Sequence, residues 1–99
     1  MEPELTRLRA AMDAVNQRLV EALHDRARLC RRIAALKQAH GATAYDPDRE
    51  AAMRTALLGS APADGLPAAA LAPLLDAVFA ASRQLVEQLC ERSTGPDRG

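Results

Sequence analysis

The sequence predicts an all-α fold: a three-helix protomer with a long first helix, working as an intertwined homodimer. Three observations predict it. Apolar residues recur at alternating steps of three and four through a segment free of Pro and Gly, an Asp-Pro pair opens a second helical segment, and no stretch alternates apolar and polar residues as a half-buried strand does.

The first helix runs from Glu4 to about His40. Leu5, Leu8, Met12, Val15, Leu19, Ala22, Leu29, Ile33 and Leu36 form a sustained heptad seam. A flanking stripe through Val20, Leu23, Ala27, Cys30 and Ala34 makes the helix apolar on well over one side, so it expects more than one neighbour. Gly41 supplies the stop, and Lys37 and His40 suit the negative end of the helix dipole.

The second helix opens at Asp46-Pro47, a capping side chain followed by the ring that tolerates the first helical position, and it runs to about Leu58. The stretch Gly59-Ser60-Ala61-Pro62-Ala63-Asp64-Gly65 has loop composition. A third apolar pattern, through Leu71, Leu74, Leu75, Val78, Phe79, Leu85, Val86 and Leu89, places the last helix from about Pro67 to Cys90. Pro73 predicts a kink there or a regular helix starting near Ala72, because an interior Pro removes a hydrogen bond and crowds the preceding turn. One domain over residues 1–92 is expected, with 93–99 a flexible polar tail.

Length then argues for a second copy. A helix from Glu4 to His40 is about 55 Å long, whereas a compact domain of this size is only about 33 Å across. Two shorter helices cannot cover it, so the rest of the seam meets another protomer, most simply about a twofold axis.

Composition excludes several functions. Thirteen Lys and Arg balance thirteen Asp and Glu, and Tyr45 and Phe79 are the only aromatic residues. Nucleic acid is therefore not an expected partner, because both the basic excess and the stacking rings are missing. No run approaches the roughly 20 apolar residues of a bilayer span, and Met1-Glu2-Pro3-Glu4 is acidic where an export signal is basic; no membrane partner and a cytoplasmic location are expected. Cys30 and Cys90 lack metal-ligand spacing and read as two reduced core thiols. Neither a metal nor a cofactor is expected.

The seam carries one anomaly. The heptad position between Ala22 and Leu29 is Arg26, and burying an unpaired guanidinium is costly, so something negative should meet it. Lys37 lies eleven residues on, about 20° round and about 16 Å along the axis. The two cations can point into one space large enough for a small anionic metabolite. Arg9 is about 25 Å from Arg26 and about 100° round, so it can join that space only from a partner protomer. The plainer alternatives are a snorkelling side chain for Arg9 and an internal salt bridge for Arg26.

Taken together, Leu8-Arg9 with Asp13, Arg26, Lys37, the run Tyr45-Asp46-Pro47-Asp48-Arg49-Glu50, and Ser82 resemble the AroQ-type chorismate mutases over roughly residues 5 to 89. The resemblance implies three-helix protomers in an interlocked dimer and a small dicarboxylate substrate, chorismate, of the shikimate pathway that supplies aromatic amino acids. It implies that Arg26 and the partner's Arg9 bind the two carboxylates, that Lys37 meets the ether oxygen, and that Arg49 and Ser82 support carboxylate binding. Glu50, helped by Asp46, holds the ring hydroxyl by the same carry-over. The implied reaction is the Claisen rearrangement to prephenate, a concerted step without a nucleophile. No Ser/His/Asp or Cys/His set is needed for it, and His24 and His40 form none.

One position departs from the family pattern. Where a Gln usually donates to the ether oxygen, four residues after the serine, this chain has Val86. The departure leaves open a chorismate mutase relying on Lys37, a mutase of 4-amino-4-deoxychorismate in secondary metabolism, an isochorismate-pyruvate lyase, or a non-catalytic helical dimerisation module.

Overall fold

The structure is a computed structural model and describes residues 2–42 and 45–93, the side chains of 90–93 excepted. Its order is α1 (Glu2–Ala39), α2 (Pro47–Leu58) and α3 (Ala68–Ser93), with no strand among the described residues. The three-helix expectation holds, long first helix included.

The end of α1 is built by its stop signal. Gly41 takes φ 71°, a left-handed conformation open to glycine at little cost. The Ala42 N–H then reaches the Lys37 carbonyl at 2.8 Å and the Gly41 N–H reaches the Gln38 carbonyl at 3.1 Å. This is a Schellman closure, and it fixes the backbone at Lys37. At the start of α2, Asp46 is extended at φ −129° and ψ 90°, its Oδ1 accepts the Arg49 N–H at 3.1 Å, and Pro47 follows as the first helical residue.

Two details differ from expectation. α3 begins at Ala68, as the expected start near Pro67 has it, so Pro73 sits inside the helix and the alternative of a regular segment starting near Ala72 falls away. Pro67 makes this start possible: its carbonyl accepts the N–H groups of Ala70 at 2.9 Å and Leu71 at 3.0 Å, giving the turn its first bonds before Pro73. α3 also runs through Ser93, one residue into the expected tail; residues 94–99 lie outside the described residues. The expected core thiol of Cys30 is free and half-buried, while the Cys90 side chain lies outside the described residues.

A third difference concerns composition. The 22-residue stretch Ala68–Leu89 reaches the length and mean hydropathy, 1.3, of a membrane span. Its many alanines raise the average without forming an unbroken run. Asp76, Arg83 and Glu87 interrupt the stretch, and the first two are engaged by α2. Arg54 forks onto Asp76 through Nε–Oδ1 at 2.8 Å and Nη2–Oδ2 at 3.3 Å, and Arg83 pairs with Glu50.

α3 is the central element. It packs against both α1 and α2, which make no packing contact with each other among the described residues. On α1 it covers the C-terminal part of the flanking stripe, where Ala27 and Cys30 are half-buried and Ala34 is buried, while Val20 and Leu23 stay exposed. Phe79 is its buried counterpart on α3. The heptad seam is left open: its large apolar residues from Leu8 to Leu36 remain 46% to 62% exposed. The protomer is accordingly extended, 65 Å along its greatest dimension, with a radius of gyration of 18.1 Å against about 13 Å for a compact chain of this length.

Candidate active site

Arg26 stands where the two stripes of α1 meet. It occupies a seam position, yet it also lies three residues after Leu23 and four before Cys30, on the face that α3 covers. The side chain is half-buried and leans onto α3, where its guanidinium carbon sits 5.1 Å from the Phe79 ring centroid. Its Nη1 donates to the Ser82 hydroxyl, which in turn donates to the Val78 carbonyl at 3.0 Å. The Cys30 sulfur is 4.0 Å from the same nitrogen. All these neighbours are neutral, and among the described residues no carboxylate pairs with Arg26. The internal salt bridge is thus absent there. A cation with its stem on a ring, one N–H fixed by a hydroxyl and its charge uncompensated is prepared for an incoming anion.

The next residue of α3 engages α2. Arg83 donates from Nη1 to Glu50 Oε1 and stands 5.6 Å from the Tyr45 ring centroid. Hydrogen bonding to Glu50 is the main cause that raises the Arg83 pKa above its ordinary value, so the guanidinium stays charged. Ser82 and Arg83 therefore draw Arg26 of α1 and Glu50 of α2 toward adjacent points on α3. Two groups 24 residues apart in sequence become neighbours of one helical turn.

The other predicted residues surround this pair unevenly. Lys37 is half-buried in the last turn of α1, immediately before the Schellman closure. Arg49 is exposed in the first turn of α2, and Asp46 is the N-cap of that helix, one carboxylate oxygen already committed to the Arg49 N–H. Val86 is half-buried one turn beyond Ser82. Arg9 is exposed near the other end of α1, about 25 Å from Arg26 along the helix axis, and among the described residues nothing brings it to the cluster.

An open groove of about 440 Å³ lies between α1 and α3. Leu23, Ala27, Val78 and Leu85 make it chiefly apolar, with Arg26 and Ser82 on its wall. It does not take in Lys37, Arg49 or Glu50. One protomer thus presents a cationic wall without enclosing a cavity around all the candidate residues.

Sequence reasoning missed two contributors. Phe79 was legible only as an inward apolar residue, yet it forms the plate under Arg26. Arg83 went unnoticed, although a charge next to Ser82 in an apolar helix is itself a signal that something opposite compensates it.

Comparison with known proteins bears on this arrangement. The family model described as "Chorismate mutase type II" matches residues 8–87. The solved structure of a chorismate mutase from Thermus thermophilus is similar, with 32% sequence identity and a TM-score of 0.74 over 80% of this chain and 98% of the Thermus chain. A sequence comparison with curated proteins returned no match.

Proposed function

Since the chain belongs to the chorismate mutase type II family, we propose that it rearranges chorismate to prephenate in a site completed by a second protomer. It is a chorismate mutase, an isomerase. The observation that carries the mechanism is Arg26: a half-buried guanidinium, fixed on Phe79 and Ser82, with no carboxylate partner among the described residues.

The substrate is a flexible dianion, and the rearrangement needs it compact, with the ends of the new C–C bond facing each other. Restricting its rotors before reaction removes much of the entropic barrier. Arg26 takes one carboxylate, with Ser82 orienting the guanidinium and Arg49 adding charge from α2. The second carboxylate falls to Arg9 of the partner subunit, since this chain's own Arg9 is out of reach. Glu50, with Asp46 beside it, accepts from the ring hydroxyl and sets which end of the molecule faces Lys37.

As the C–O bond breaks, negative charge grows on the ether oxygen. The Lys37 ammonium, on a backbone locked by the Gly41 closure, meets that charge. Fixed positive charge in a water-poor pocket stabilises the transition state more than the ground state, which is what raises the rate. Val86 offers no second donor, so the ether oxygen depends on Lys37 alone.

The homodimer follows from the open seam. Its large apolar side chains are still 46% to 62% exposed in one protomer, and covering what remains of each contributes roughly 1 kcal/mol. A copy related by a twofold axis covers the seam and closes the site's open side. We place the protein in the cytoplasm, with α3 packed on this chain and not in a membrane: Asp76 and Arg83 of its apolar stretch are bound to α2, and its buried Phe79 supports Arg26.

The test is loss of chorismate absorbance on adding the protein, alongside a thermal titration with an oxabicyclic diacid that mimics the transition state. Protein-dependent loss and a rise in Tm following RT ln(1 + [L]/Kd) are expected. An unchanged absorbance and a flat melting curve refute the function and leave a dimerisation module.

A further inference from the structure

We propose that Arg83 is a specificity-determining residue: by pairing with Glu50 it makes this site select a ring hydroxyl and reject a ring ammonium. The inference rests on the assignment of Glu50 to the ring substituent made above.

A lone carboxylate would accept either group, and it would hold an ammonium more strongly through charge. Here the carboxylate is not alone. Arg83 donates to Oε1 of Glu50, and the pair is only partly open to water, 36% exposed at Arg83 and 23% at Glu50. The ring of Tyr45, 5.6 Å from the Arg83 guanidinium carbon, backs the cation on its other side. Arg83 is therefore held by two partners from outside α3, and its position is set before substrate arrives.

The charge of Glu50 is thereby neutralised while Oε2 keeps its lone pairs. A hydroxyl needs only an acceptor, and Oε2 supplies one. An ammonium in the same place gains little from a neutralised pair and lies within a few ångströms of a guanidinium, where like charges repel. At such a separation, with water partly present, the repulsion amounts to roughly tenfold in relative affinity. Among the described residues no other carboxylate hydrogen-bonds to Arg83 in place of Glu50, and Asp76 is already forked by Arg54.

The test compares kcat/KM for chorismate and for its 4-amino analogue in wild type, Arg83→Met and Arg83→Lys. Wild type should prefer chorismate by about tenfold or more, Arg83→Met should lose most of that preference, and Arg83→Lys should keep it. If Arg83 only anchors α2 to α3, the methionine variant loses stability and slows on both substrates equally, leaving the ratio unchanged. That result overturns the proposal. So does a wild type that processes both substrates alike. Should Arg83→Met not fold, Arg83→Gln, which keeps a donor to Glu50 without the charge, carries the same comparison. Wild type inactive on both substrates refutes instead the function on which the proposal rests.

Discussion

Replacing Arg26 by Met separates a binding role from a structural one. The methionine keeps an unbranched apolar stem beside Phe79 and removes the charge and the N–H that reaches Ser82. The stability loss is limited. A half-exposed cation–π contact is worth about 1 kcal/mol. The Ser82 hydroxyl keeps its bond to the Val78 carbonyl and is not orphaned. A total of about 1–2 kcal/mol corresponds to a fall in Tm of about 10 °C for a chain of this size. The kinetic loss is larger. Withdrawing a preorganised charged donor typically costs about 3 kcal/mol of transition-state binding, or about a hundredfold in kcat/KM. The carboxylate is bound before and during reaction, so KM should rise along with the fall in kcat. Stopped absorbance assays on chorismate, with circular dichroism to count folded protein, measure both. A folded Arg26→Met variant with kcat/KM within about threefold of wild type would refute the reasoning, and Arg26 would then be a core residue with an unusual head group.

Three further outcomes are expected. Val86→Gln should raise chorismate turnover, because it adds a second donor one turn beyond Ser82; unchanged kinetics refute the claim that Lys37 acts alone. Leu19→Asp, at a seam position 57% exposed in the protomer, should convert a dimer to monomers in sedimentation and abolish turnover, and a stable active dimer would show that the seam is not the interface. Asp76 has its pKa lowered chiefly by the hydrogen bond from Arg54, so its contribution to stability is present above the ordinary carboxylate pKa and is lost as the pH falls through the depressed one. The Tm difference between wild type and Asp76→Asn should therefore shrink below about pH 4, and a constant difference across the acid range refutes the pairing in solution. The effect should be small, since both partners face water.

The local signals of the fold were readable in the sequence because their causes are local. Gly41 must end α1, and Asp46-Pro47 must begin α2, whatever the rest of the chain does; the structure realises both with the bonds those residues predict. Pro73 left two outcomes open for the same reason in reverse. A rule about one residue does not weigh the start that Pro67 provides upstream, which favours a helix from Ala68 over one starting near Ala72. Long-range choices were less legible. Two apolar stripes of similar strength run along α1, and nothing in their pattern says that α3 takes the one ending at Ala34 and leaves the other open. Arg26 stood out because it breaks a seam. Arg83 did not, because its meaning depends on Glu50, which only the packing of α2 on α3 brings near.

The central claim is that each site draws on two protomers, and subunit mixing tests it most directly. Arg9→Ala and Lys37→Ala should each form an inactive dimer. Unfolded together and refolded at equal concentration, they should form heterodimers in which one site carries both lesions and the other carries neither, restoring about a quarter of wild-type activity. A mixture that forms heterodimers yet stays as inactive as its parents would contradict the account, since Arg9 and Lys37 would then serve one site from the same chain.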